Sequence, residues 1–164
     1  FTVSVLPMSP SMLSEVTATM ESRMQEGDMQ NYVVYAGGIA AHMNSPVVET
    51  SISNAAALRI SMLESVNLAT GNSTSARVLP PQTSAALIAS VTAANRSGEI
   101  QVDSYGFALE VVDKVLQTAG GDNGESGNLD VAIPLSKGVA NLLFTTNGSA
   151  IAPETLAATE STFA

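Results

Sequence analysis

Cysteine and tryptophan are both absent from this 164-residue chain, and aromatic residues make up only 4% of it. Without cysteine there is no disulfide frame, no thiolate metal site and no thiol nucleophile. That absence leans toward a reducing compartment, yet a helical domain of this length can hold a core without cross-links, so an oxidising one stays open. Basic residues are also few: six Lys and Arg against fifteen Asp and Glu, for a net charge of −9. Arg23, Arg59, Arg77, Arg96, Lys114 and Lys137 are scattered singly. Nucleic acids and anionic bilayers are bound through clustered cations, so neither is an expected partner. No apolar run is long enough to span a bilayer. The chain opens on Phe1 with no basic, apolar leader, which we read as a processed molecule or a segment of something longer.

What is present is aliphatic. Apolar residues reach 45%, and a core of Leu, Val, Ile, Met and Ala suits closely packed helices. Residues 1–8 form a strand-like lead, because Phe1 to Leu6 alternates apolar and polar until Pro7. From Ser9 the period becomes helical, and residues 9–144 read as one helical domain. Ser9-Pro10 is a cap followed by proline at the first helical position. Leu13, Val16, Met20 and Met24 carry the first stripe, and Gly27 stops it. Asp28 caps a second helix with Met29, Val33, Ala36, Ala40 and Met43 on one face, closed by Asn44-Ser45-Pro46. Ile52, Ala55, Leu58, Met62 and Val66 mark a third. Pro80-Pro81 opens a fourth, with Leu87, Ile88, Val91 and Ala94. Asp103 or Ser104 caps a fifth, with Tyr105, Ala108, Val112, Val115 and Ala119 inward and a Glu110–Lys114 pair on the wet side. The stretch 120–128 is a Gly/Asp linker. A short sixth helix holds Leu135, Val139, Leu142 and Leu143, and residues 145–164 form a tail or linker. The fold class expected is mainly α: about six short amphipathic helices that shelter their stripes against one another, with a strand-like lead.

The series Met24-Gln25-Glu26-Gly27-Asp28-Met29-Gln30, the Ala/Gly-rich helix ending His42-Met43-Asn44-Ser45, then Arg59-Ile60-Ser61-Met62-Leu63-Glu64, a sequon-bearing loop, Ser84 to Thr92 and the helix from Tyr105 to Leu116 together resemble the receptor-for-egg-jelly (REJ) module. They are similar also to the helical subdomain of the related autoproteolysis-inducing domain of adhesion receptors. The resemblance covers Ser9 to Leu143 and is one of helix order and pattern. It implies that the helices are part of a larger α+β ectodomain, a non-catalytic structural or adhesive module of a large extracellular, polycystin-like glycoprotein at the cell surface or ciliary membrane. It implies as partners other protein domains, glycans, copies of the same assembly, a polycystin-type channel subunit or an extracellular filament. Some members cleave themselves at a His-Leu-Ser/Thr tripeptide. This chain has no such tripeptide; its only histidine lies in His42-Met43-Asn44.

No set of residues assembles a catalytic constellation. His42 lacks an identifiable nucleophile and orienting partner, and reads as a capping or surface residue at a helix end. Residues 122–130 place Gly127 and Asp130 as a calcium loop would, but Gly124 and Ile133 stand where ligands belong, so a solvated linker is the better reading. Gly37-Gly38 has no Lys-Ser/Thr after it and reads as a helix contact rather than a phosphate loop. No enzyme, cofactor or metal is therefore expected. Three sequons, at Asn72, Asn95 and Asn147, fall in loops or helix ends and are the candidate glycosylation sites. The methionines read as core filling. The rival reading is a cytosolic adaptor whose groove takes a partner helix.

Overall fold

The computed structural model describes residues 9–45, 50–70, 78–119 and 129–145. They form six α-helices and no strand: α1 (Pro10–Glu26), α2 (Met29–Met43), α3 (Ile52–Ala69), α4 (Pro81–Val91), α5 (Val102–Ala119) and α6 (Leu129–Thr145). The mainly helical expectation is met. The lead at 1–8 and the tail after Thr145 lie outside the described residues.

Local chemistry sets most helix ends. Ser9 accepts from the Met12 amide at 3.3 Å while Pro10 fills the first turn. Gly27, at φ 79°, turns the chain out of α1, and the Asp28 amide returns to the Arg23 carbonyl at 2.9 Å. Asp28 then caps α2, accepting from the Asn31 amide at 3.3 Å; hydrogen bonds from Asn31 hold its carboxyl below the ordinary range. Ser51 caps α3 in the same way. Pro81 opens α4 with no side-chain cap. Helix α5 starts at Val102, ahead of both predicted caps. The Ser104 amide bonds the Gln101 carbonyl at 3.0 Å, and Asp103 sits in the first turn instead.

Helix α4 is the centre of the bundle. It packs on α6 over the most extensive contact, and also on α5, α2 and α3. Its Ala85, Ile88 and Val91 are fully buried among Ile39, Met62, Val66, Ala108, Val112, Leu135 and Leu142. Helix α1 is peripheral, joined mainly to α2 through Met20 and its neighbours. The sixth helix is longer than its stripe predicts and runs through Pro134, which withdraws one amide from its first turns. Leu143, expected inside, is 46% exposed, and Ala119 is exposed too. Ala119 ends α5, beyond its cover, whereas Leu143 stands about 100° round α6 from buried Leu142 and so points away from the bundle.

The α4–α6 contact depends on a missing side chain. A Cβ built on Gly138 would lie 2.7 Å from Ile88 Cγ2 and 3.5 Å from the Ala89 nitrogen. Around this approach, Thr92 donates to the Ile88 carbonyl at 2.8 Å, and Asn141 Nδ2 donates to the Ala89 carbonyl at 3.1 Å. Tyr105 donates to the Leu142 carbonyl at 2.9 Å. Gly37 and Gly38 behave differently. A Cβ on either meets nothing within 4 Å, so the helix contact predicted for them is not made among the described residues.

Gly138→Ala is expected to destabilise the fold by about 1–3 kcal/mol through overpacking, and Ile88→Leu in the same chain, which removes the Cγ2 methyl at nearly constant volume, to recover part of the loss. Gly38→Ala is expected to do the reverse, stabilising by about 0.5–1 kcal/mol, because it removes backbone freedom without a clash. Urea unfolding of the three variants checks both signs.

Candidate functional site

Two features rise above ordinary packing: a buried ionic knot and an open groove. The knot begins at Arg59, whose side chain is completely buried. Its place on α3 follows from spacing, since residue 59 shares a helical face with Ala55, Met62 and Val66, all buried. A guanidinium on that face must be matched or it would cost several kcal/mol. Arg59 Nη2 donates to Glu99 Oε2 at 2.8 Å and to Asn44 Oδ1 at 3.0 Å, and Nη1 donates to the Val91 carbonyl. Glu99 is equally buried and accepts from Arg96 Nε through its other oxygen. Arg96 Nη1 reaches on to the Thr50 carbonyl at 2.7 Å.

The asparagines complete the tie. Asn44, which ends α2, donates to the Ser90 carbonyl at 2.9 Å, while Asn95 donates to the Asn44 carbonyl. One cluster thus binds the end of α2, the start and middle of α3, the end of α4 and the 92–101 loop. That loop returns because Gly98 takes φ 87°, a left-handed turn that brings Glu99 back inward. Burial lowers the Arg59 pKa, and Glu99 pulls it back up by hydrogen bond and charge. Arg59 Nε and Arg96 Nη2 are buried with no hydrogen-bond partner; the knot is therefore a costly, geometry-sensitive device.

A second polar bridge joins α3 to α5. Asn67 Nδ2 donates to Glu110 Oε2 at 2.5 Å, and Lys114 Nζ donates to Asn67 Oδ1 at 2.7 Å and to its carbonyl at 2.9 Å. Glu110 and Lys114 were expected to pair with each other on the wet side. Instead both turn to Asn67, because α3 packs over that side of α5. Tyr32 is buried in the α2 face. Burial pushes its phenol up to about 12, against a smaller lowering by the neighbouring Ser65 hydroxyl; the two oxygens do not close a regular hydrogen bond. Ser65 itself points to Met24 Sδ at 3.2 Å.

The groove lies between α1 and α3. The helices run parallel: Ser9 and Ser51 both stand at one end, and Met24 meets Ser65 toward the other. Between these points they part, leaving a cavity of about 910 Å³. Hydroxyls of Ser14, Thr17 and Ser61 line it with Asn54 and Glu21, over a floor that includes Leu13 and Leu58.

The sequence-predicted site residues scatter. Asn95 is exposed in the loop after α4, as a glycan acceptor requires, and its amide is also a strand of the knot. Asn72 and Asn147 lie outside the described residues, as does the 122–128 part of the calcium-like loop. His42 is not a surface residue; it sits in the last turn of α2 at 6% exposure, because α2 is covered there by α4. Among the described residues no three His, Asp or Glu side chains gather as a metal site, and no helix is long and apolar enough to cross a membrane. Sequence reasoning missed the knot. Its one signal was an arginine standing at a core position of a helical stripe; the partner at residue 99 left none.

Arg59→Met is expected to cost about 3–5 kcal/mol, since it leaves the buried Oε2 of Glu99 without its donor. Arg59→Met/Glu99→Leu should lose less than the single variant, as measured in a denaturant double-mutant cycle. His42 gives a pH test. Burial holds its pKa below 6.5 in the fold, so below pH 6.5 the unfolded chain binds more protons than the folded one. Stability is expected to fall as pH drops from 6.5, and His42→Gln to flatten that slope. Thermal melts from about pH 7.5 to 5 check it.

Comparison with known proteins finds no matching family, no similar curated protein and no similar solved structure.

Proposed function

We propose that this chain is a non-catalytic structural and adhesive module of a large, REJ-containing, polycystin-like cell-surface glycoprotein, and that its α1–α3 groove receives a segment of a neighbouring protein domain. The observation that carries the reading is the groove. Two helices that share one end and separate along their length leave a slot about three turns long, given a rise of about 1.5 Å per residue. Its lining pairs a Leu floor with hydroxyl walls, a combination that suits a peptide segment with backbone groups to satisfy.

The ionic knot supports the same reading from the other side. It stiffens the face of α3 that looks into the bundle and leaves Asn54, Ala57 and Ser61 to face the groove. A rigid wall reduces the ordering cost of binding. The resemblance of helix order supplies the cell-surface setting, and Asn95 supplies an exposed sequon compatible with it. The adaptor alternative uses the same groove for a helix in the cytosol; glycan occupancy separates the two.

The test is site-specific photo-crosslinking in the intact parent protein. A benzoylphenylalanine at Ser61 is expected to give adducts with a neighbouring domain, and one at exposed Leu68 to give far fewer. Equal yields at both positions would remove the groove from the account. Glycopeptide mass spectrometry of native material is expected to find hexosamine on Asn95; unmodified Asn95 throughout would favour the cytosolic adaptor.

A further inference from the structure

Helix α6 is apolar on two faces. Val131, Leu135, Gly138, Val139 and Leu142 face the bundle. On the opposite side Leu129 is 69% exposed and Ile133 63%, followed along the same row by exposed Ser136 and half-buried Ala140. Their spacing of four, three and four residues is that of a seam between two helices. The row also alternates in size along the helix: two large side chains, then two small ones.

Read antiparallel against itself, the row is self-complementary. With a two-fold axis between Pro134 and Leu135, Leu129 of one copy meets Ala140 of the other, and Ile133 meets Ser136. Each of the four layers then joins one large and one small side chain, so the helices can approach closely. The charges agree with the same register. Asp130 and Lys137 are seven residues apart and thus on one flank of the row. A two-fold axis keeps that flank common to both copies. It sets Asp130 of one copy about 3 Å along the axis from Lys137 of the other, at a rise of about 1.5 Å per residue. In a chain of net charge −9, α6 carries one acid and one base, so two copies can meet here with little charge repulsion.

We propose that α6 is a homodimerisation helix, pairing antiparallel with α6 of a second copy through Leu129, Ile133, Ser136 and Ala140, with two symmetric Asp130–Lys137 ion pairs. One helix pair is smaller than a standard interface of about 1,600 Å², so the isolated chain dimerises weakly. Tethering in a larger assembly raises the local concentration and strengthens the contact. This inference is independent of the groove and of the cellular setting proposed above.

Sedimentation equilibrium of the full chain, with circular dichroism to verify that each variant folds, tests it. Concentration-dependent dimerisation is expected. Ile133→Glu should raise the dissociation constant at least about tenfold. Asp130→Lys should raise it about fivefold, and Asp130→Lys/Lys137→Asp should return it to within about twofold of the native value; a folding defect would not be repaired by the second reversal. Because the chain has no cysteine, register can be read directly. Mixing Ile133→Cys with Ser136→Cys in equal amounts should give the mixed disulfide at well over the twofold excess over either homodimer that random pairing produces. A chain that stays monomeric to about 1 mM would overturn the proposal, as would mixed disulfide no more abundant than with a Leu68→Cys control. A thiol shielded from maleimide in a monomeric Ser136→Cys variant would place another part of the same chain on the seam, and would overturn it too.

Discussion

The fold turns on one buried charge pair. Arg59 reaches inward from α3, and Glu99 comes back from a loop 40 residues away to meet it at 2.8 Å. Neither helix propensity nor hydrophobic burial demands this contact; a Leu at position 59 would fill much of the same space at lower desolvation cost. What the pair adds is position. It is satisfied only when the end of α2, the end of α4 and the 92–101 loop all arrive together, since Asn44, Val91 and Arg96 each bond the pair and Asn95 in turn holds Asn44. Greasy stripes of Ala, Val and Leu can slide on one another with little penalty. A guanidinium with three specified acceptors cannot.

The rest of the bundle follows from that registration. With α3 fixed against α4, the close approach at Gly138 docks α6, and the Asn67 bridge docks α5. Helix α1 stands outside this network, held to α2 and touching α3 at the Met24–Ser65 end. The groove is therefore a consequence of where the polar ties stop. Its α3 wall belongs to the fixed part of the fold and its α1 wall to the peripheral part, so an occupant can be gripped without disturbing the core.

Much of this architecture was legible in the residues. Ser9-Pro10, Gly27-Asp28 and Pro80-Pro81 announce helix ends through local chemistry, and the structure keeps all three. Six stripes became six helices because aliphatic periodicity is a local property. Two failures were local, the start of α5 and the inward placing of Leu143 beside Leu142, and the rest were nonlocal. His42 became buried because α4 crosses it, and Glu110 and Lys114 both turned to Asn67. Gly37-Gly38 looked like a contact and has none among the described residues, whereas Gly138, flanked by Lys137 and Val139, showed nothing in sequence of the Ile88 methyl pressed against it. The groove had no signature at all, being a space between two helices rather than a property of either.

Native-state hydrogen exchange on Glu99→Gln tests the central claim most directly. If the buried pair registers the bundle, protection falls together at the last turn of α2, the first half of α3, the end of α4 and residues 92–101, while the first turns of α1 and α5 keep their native rates. Loss of protection confined to the 92–101 loop would show that the stripes alone hold the helices in place, and would contradict the account.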